Sequence, residues 1–380
     1  MGDLVSTAVK RSEKQVAAEA EAMMERLLAG DKVWPDERMV GHGLAYLDDH
    51  RSFLGGASPS DKPLGMFAPT EQIVLAARPG VGKTTEAIQC ASNALLRRKQ
   101  CVVFDSLEMK MEEIVMRMAA VAAGVPLEDS DEFRAWAREK VENQHKINVM
   151  RENMVTLKAL AGERFFFRGG GTTMEEIIAH AKWAQQRCGQ VHLMVVDYLQ
   201  LVEIGGDGKS KAHINRQEIV GTVSRKFKLL AMELECVMLV LSQFNREADE
   251  KEGPQLIHLR ESGAIEQDAD RVYALAERDK DANGANIGNR KDVPMLFRVL
   301  KNRRGEKFDL SLIFNRNTKT FHGIPPTGQQ GRPRKGMSAQ ESREALARER
   351  AQAEMNRGIK GFEQAEQVGF NDFPEEDRPF

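Results

Sequence analysis

The chain has 380 residues, 41% of them apolar and 29% charged, with a formal net charge of −2. That is room for one large α/β domain with appendages. The balanced charge neither demands nor excludes nucleic acid, because a channel needs positive charge only along its wall. No apolar run approaches the ~18–20 residues of a membrane span, and no signal peptide is visible, so a cytoplasmic protein with no membrane role is expected. Cys90, Cys101, Cys188 and Cys236 lack metal-ligand spacing and read as buried thiols of a reducing compartment.

In chain order, residues 12–29 predict an amphipathic helix, with Val16, Ala20, Met23, Met24, Leu27 and Leu28 on one stripe. It packs either on its own core or on a neighbouring subunit. Residues 30–69 are rich in turn formers. Short strands are predicted at 73–76, 102–104, 165–167, 193–196 and 237–241. Helices are predicted from Lys83, over most of 111–163, from Thr172 with Glu175 as a capping pair, and over 216–235. Strands alternating with helices imply a mostly parallel sheet covered on both faces. Residues 295–300 and 308–314 predict a terminal hairpin. Residues 325–337 have linker composition, 339–357 read as a solvated helix, and the acidic end as a disordered tail. The expected organisation is a linker-helix region at 1–34, a core at 35–324 and a flexible tail at 325–380.

The strongest motif is Ala77-Arg78-Pro79-Gly80-Val81-Gly82-Lys83-Thr84, followed by Thr85. It follows a strand and opens a helix, the setting of a phosphate-binding loop. Lys83 would neutralise the β- and γ-phosphates of ATP, and Thr84 would place its hydroxyl on Mg²⁺. The usual first glycine is Ala77 here. Asp197 ends a buried apolar strand, and a carboxylate there is costly unless used; it would hold Mg²⁺ through its water shell. Glu108, just past the second strand, is positioned to orient and deprotonate water. Glu112 and Glu113 compete for that role but fall within the next helix. Gln243 ends another strand and could sense the γ-phosphate.

Together these motifs resemble those of DnaB-type helicases. The phosphate loop, Ser106-Leu107-Glu108-Met109, Asp197-Tyr198-Leu199-Gln200-Leu201 and Leu241-Ser242-Gln243-Phe244-Asn245-Arg246 occur in order. The most specific match is the string from Leu259 to Asp270, beginning Leu259-Arg260-Glu261-Ser262-Gly263. The resemblance implies an α/β RecA-like ATPase core, a homohexamer, and nucleotide sites between subunits. It implies that Lys301 and Arg303 enter the neighbour's site, with Arg303 the arginine finger and Arg304 its rival. It also implies single-stranded DNA held by Arg260, Glu261 and Gly263, and primase and loader as partners. The loop at 204–214, with Lys209 and Lys211, matches a second DNA loop or is a solvated surface loop.

Only 76 residues precede Ala77. The helix at 12–29 matches only the family's linker helix, so a reduced phage or plasmid form without the N-terminal domain is expected. An adaptor that binds a host helicase or replisome, or a RecA-like recombinase, is the competing reading. The end, Asp372 to Phe380, resembles the acidic Pro-Phe tip of single-strand-binding proteins. It recruits proteins that read that tip, gates the ring's own channel, or merely solubilises the chain.

Overall fold

The computed structural model describes residues 38–40, 67–127, 130–170, 173–203, 216–245, 253–259, 262–278, 291–303, 305 and 307–323. The chain divides into two units, Met1–Ile324 and Pro325–Phe380, and every described residue lies in the first. The helix expected at 12–29, the loop at 204–214 and the tail at 325–380 lie outside the described residues, as do Lys209, Lys211, Arg260, Glu261 and Arg304.

The described strands are β1 (Gln72–Ala77), β2 (Val102–Ser106), β3 (Phe165–Gly169), β4 (Leu193–Asp197), β5 (Val237–Gln243), β6 (Arg271–Glu277), β7 (Asp292–Asn302), β8 (Asp309–Asn315) and β9 (Thr320–Gly323). They form one sheet in the order β3-β2-β4-β5-β1-β6-β7-β8-β9. β1 to β6 pair in parallel, while β7, β8 and β9 add antiparallel. The helices are α1 (Lys83–Ser92), α2 (Met111–Ala123), α3 (Ser130–Glu139), α4 (Val141–Leu160), α5 (Met174–Cys188), α6 (Arg216–Glu233) and α7 (Ser262–Asp268).

Every residue of β1, β2 and β4 is buried, which explains their continuous apolar runs. Alternate residues serve two cores. Ile73, Leu75, Val102 and Phe104 pack with Ile88 of α1, Ile114 of α2 and Leu157 of α4. Val74, Ala76, Val103 and Val196 pack with Ile177 of α5, Phe227 of α6 and Ile265 of α7. Fully burying one such side chain contributes about 1.5–3 kcal/mol.

Several expectations need correction. The capping pair of α5 is Thr173 with Glu176, one residue later than Thr172 with Glu175: Glu176 Oε2 accepts from Thr173 N at 3.0 Å and Thr173 Oγ1 accepts from Glu176 N at 3.4 Å. The stretch at 111–163 is mainly helical as expected and comprises three helices, the first closed by Gly124 in the left-handed conformation at φ 64°. Two strands were not anticipated: β6, which inserts beside β1, and the short β9 at the edge. Cys188 is only partly buried, unlike the other three cysteines.

Candidate nucleotide site

The register of the parallel strands brings their carboxyl ends to one edge. Ala77 pairs with Gln243, and Ser106 with Asp197. Ligands of open α/β sheets bind at such an edge. From Ala77 the chain turns through Arg78, Pro79 and Gly80, all exposed, and then Val81. Gly80 and Gly82 have φ of 81° and 105°, a region that disfavours side chains. Gly82 caps α1 at its N-terminus, where the first N–H groups lack helical acceptors.

Lys83, the first residue of α1, is buried among carboxylates. Its Nζ lies 3.3 Å from Asp197 Oδ1, 3.4 Å from Glu108 Oε2 and 4.8 Å above the Tyr198 ring. Thr84 Oγ1 donates to Asp197 Oδ2 at 2.8 Å. Thr85 is buried. Asp197 is fully buried. Burial pushes its carboxyl above the usual range, opposed by the Lys83 charge and the Thr84 hydrogen bond. A buried carboxylate oxygen beside a hydroxyl is a hard-oxygen donor set, which fits Mg²⁺.

Glu108 is half exposed, with its carboxyl directed at Lys83. Its turn is pinned from three sides: Leu107 N donates to Asp197 O at 2.7 Å, Met109 N to Ser106 Oγ at 3.0 Å, and Gly170 N to Ser106 O at 3.2 Å. Gly169, the last residue of β3, has a local reason. A Cβ at Gly169 would come within 3.3 Å of Met111 Cγ. Glu113 faces away to an ion pair with Arg117 at 2.6 Å, and Glu112 is exposed. Gln243 sits beside the start of the loop, where Phe244 N donates to Ala77 O at 3.2 Å.

Lys301 and Arg303 stand elsewhere. The row through Ala77 continues to Leu275 and Phe297, whereas Ile73 at the other end aligns with Arg271 and Asn302. Arg303 follows Asn302, so it lies about 16–17 Å along the strand direction from the Ala77 row. Among the described residues its partners are Gln267 of α7 and Asp270, which immediately precedes β6. Arg303 Nη2 donates to Gln267 O, its main-chain N to Asp270 O at 2.9 Å, and its Nη1 is 3.5 Å from Asp270 Oδ1. Lys301 Nζ donates to Glu266 O, and partial burial followed by the Arg303 charge lowers its pKa. Both cations rest on carbonyls at the C-terminal end of α7, where a helix favours positive charge. Gly263, near the start of α7, is exposed.

Sequence reasoning missed four supporting groups: Tyr198 under Lys83, Asp270, and the pair Gln89 and Phe321. Asp270 also accepts from Gln72 N at 2.8 Å and Lys228 Nζ at 2.6 Å, joining β1, α6 and β6. Phe321 of β9 lies over Gly82, where a Cβ would meet its Cζ at 2.9 Å. Asp270 closes the string matched to the family, which was the only available signal for it.

The DnaB-like helicase C terminal domain family matches residues 56–323. The replicative DNA helicase DnaC of Bacillus subtilis is 30% identical over 71% of this chain and 58% of its own length. The replicative DNA helicase DnaB of Geobacillus stearothermophilus is 32% identical over 70% of this chain and 55% of its own. A probable plasmid replicative DNA helicase of Chlamydia psittaci is 32% identical over 74% and 57%. The chain therefore spans little more than half the length of these relatives. Among solved structures, a separately solved ATPase domain aligns over 82% of this chain and all of its own at TM-score 0.62 and 22% identity. A DnaB-like replicative helicase, studied with its interactions with primase, aligns over 82% and 68% at TM-score 0.62 and 23% identity. The fold is that of these RecA-like ATPase domains.

Proposed function

The chain belongs to the DnaB-like helicase C-terminal-domain family, and from that premise we propose that it is the motor of an ATP-driven replicative DNA helicase. It translocates on single-stranded DNA as a homohexameric ring and displaces the opposite strand. The observation that carries this reading is the convergence of Lys83, Thr84, Asp197 and Glu108 at one sheet edge while Arg303 stands at the other. Among the described residues Arg303 does not reach the chain's own phosphate loop, which supports a site completed by a neighbouring copy. The competing adaptor reading has no use for so complete a set.

In this reading the loop from Ala77 to Thr85 cradles the phosphates of ATP, and Lys83 exchanges its carboxylate partners for phosphate oxygens. Thr84 and Asp197 would hold Mg²⁺, which would supply positive charge beside the phosphates. Glu108 orients the attacking water and accepts its proton. Gln243 reports the γ-phosphate to β5. Arg303, with Lys301, leaves α7 and stabilises the transferred phosphoryl group of the adjacent subunit. Arg260, Glu261, Gly263, Lys209 and Lys211 grip the DNA backbone, a contact that carries no base reading.

The partners proposed are single-stranded DNA, further copies of the chain, a primase and a loader. The tip from Asp372 to Phe380 recruits replication proteins that read single-strand-binding-protein tips. The setting is the cytoplasm of a bacterium or an infected cell; among the described residues no helix is long and apolar enough to cross a membrane. Strand displacement on forked DNA, run beside electron imaging of the same sample, tests the proposal. ATP-dependent displacement by six-membered rings is expected. ATP turnover without rings or displacement would refute it.

A further inference from the structure

Away from the nucleotide edge, two sulfur atoms meet. Cys101 immediately precedes β2 and is 2% exposed, whereas Cys188 is the last residue of α5 and is partly exposed. Their Sγ atoms are 2.7 Å apart, although the residues are 87 positions apart in sequence. The Cys101 end is held by the backbone beside it. Cys101 N donates to His192 Nδ1 at 3.2 Å, and Cys101 O accepts from His192 N at 3.0 Å and Leu193 N at 3.3 Å. α5 is tied to β2 independently, by His180 Nδ1 at 2.8 Å from Asp105 Oδ1.

We propose that Cys101 and Cys188 form a covalent modification site, a dithiol that a peroxide converts to an intrachain disulfide joining the start of β2 to the end of α5. The two thiols are unequal. Cys101 donates to Cys188, and this bond, with burial behind it, raises the Cys101 pKa. The same bond, with support from the Gln190 backbone, lowers that of Cys188. Thiolate character and access together select the attacking sulfur, and both favour Cys188. Cys236, fully buried, has its thiol pushed up to about 12 and takes no part.

The chemistry closes in two steps. The Cys188 thiolate attacks one peroxide oxygen; the S–O bond forms, the O–O bond breaks, and the departing hydroxide takes a proton to become water. The Cys101 sulfur then attacks the Cys188 sulfenic acid; the S–S bond forms, the S–O bond breaks, and the hydroxyl leaves as a second water with the Cys101 proton. Two thiols lose two electrons in all, and hydrogen peroxide is reduced to two waters. Sulfurs already in contact need little backbone movement to bond.

The test treats the reduced full-length chain with hydrogen peroxide, alkylates the remaining thiols under denaturing conditions, and maps the peptides by mass spectrometry. Expected is a Cys101–Cys188 linked peptide that disappears on reduction with dithiothreitol, while Cys90 and Cys236 remain alkylatable. In Cys101→Ser, Cys188 should stop at a sulfenic acid that dimedone captures. In Cys188→Ser, Cys101 should stay a thiol. Wild-type protein that accumulates oxidised Cys188 beside an intact Cys101 thiol would overturn the proposal. So would absence of any reaction while free glutathione in the same tube is fully oxidised. The wild-type arms stand even if a variant fails to fold.

Discussion

Gln89 and Phe321 exchange two hydrogen bonds: Gln89 Nε2 donates to Phe321 O at 3.1 Å, and Phe321 N donates to Gln89 Oε1 at 3.0 Å. The clasp ties α1, which carries Lys83, to the last strand of the sheet. The Phe321 ring, 1% exposed, covers Gly82 and lies 4.7 Å from that of Phe314. Phe321→Ala should cost about 3–5 kcal/mol in urea unfolding and weaken nucleotide binding by loosening the loop. Unchanged nucleotide affinity in the folded variant would mean that β9 is only a structural edge. Gly82→Ala should be worse for binding, because it adds a left-handed strain to the clash.

Lys83→Ala should abolish ATP turnover and unwinding. It also leaves Asp197 without its nearest cation, so the Asp197 carboxyl should rise further above its usual range. A carboxyl ¹³C titration reads that shift, and turnover within tenfold of wild type would remove Lys83 from the site.

Arg303→Ala should keep nucleotide binding yet lose roughly 10³–10⁵ in turnover, the contribution of an arginine finger. Doped into wild-type rings, it should depress activity more than its mole fraction, because each copy disables a neighbour's site. A strictly proportional loss would argue that every subunit works alone.

Asp105→Asn isolates a pH effect outside the catalytic machinery. Burial raises the Asp105 carboxyl, with His180 and then Arg168 opposing it. The folded state therefore binds this proton more tightly than the unfolded one. The associated stability is full below the ordinary Asp pKa of about 3.9 and is lost as pH rises through the raised folded value. The asparagine variant lacks that loss, so its stability should gain on wild type as pH increases towards neutrality. Parallel urea-unfolding profiles from acid to neutral pH would contradict the assignment.

A peptide of residues 369–380 should compete with a single-strand-binding-protein tip for a host protein that reads such tips. Removing Phe380 alone should abolish the competition, since a terminal aromatic filling a pocket contributes about 1.5–3 kcal/mol. Competition that survives this deletion would reduce the tail to a source of charge.

The residues that converge at the candidate site were legible in the sequence because their motifs are local. A fully buried run such as 193–196, a glycine pair at 80 and 82, and a carboxylate just past a strand each bear their chemistry within a few residues. Two-sided burial also made the mostly parallel sheet readable from alternating strands and helices. The slip from Thr173 to Thr172 arose because adjacent threonines and adjacent glutamates offer the same capping pattern twice.

What only the tertiary structure decided depends on register between distant segments. No local pattern announces that Asn302 aligns with Arg271 rather than with the loop edge, yet that alignment sends Arg303 away from Lys83. β9 is four residues long, too short for a periodic signal, and is held by packing against α1 and pairing with β8. Cys101 and Cys188 meet because β2 and α5 share a core, not because of their spacing. Short-range pattern reports which groups are available; burial and strand pairing between remote segments determine which of them touch.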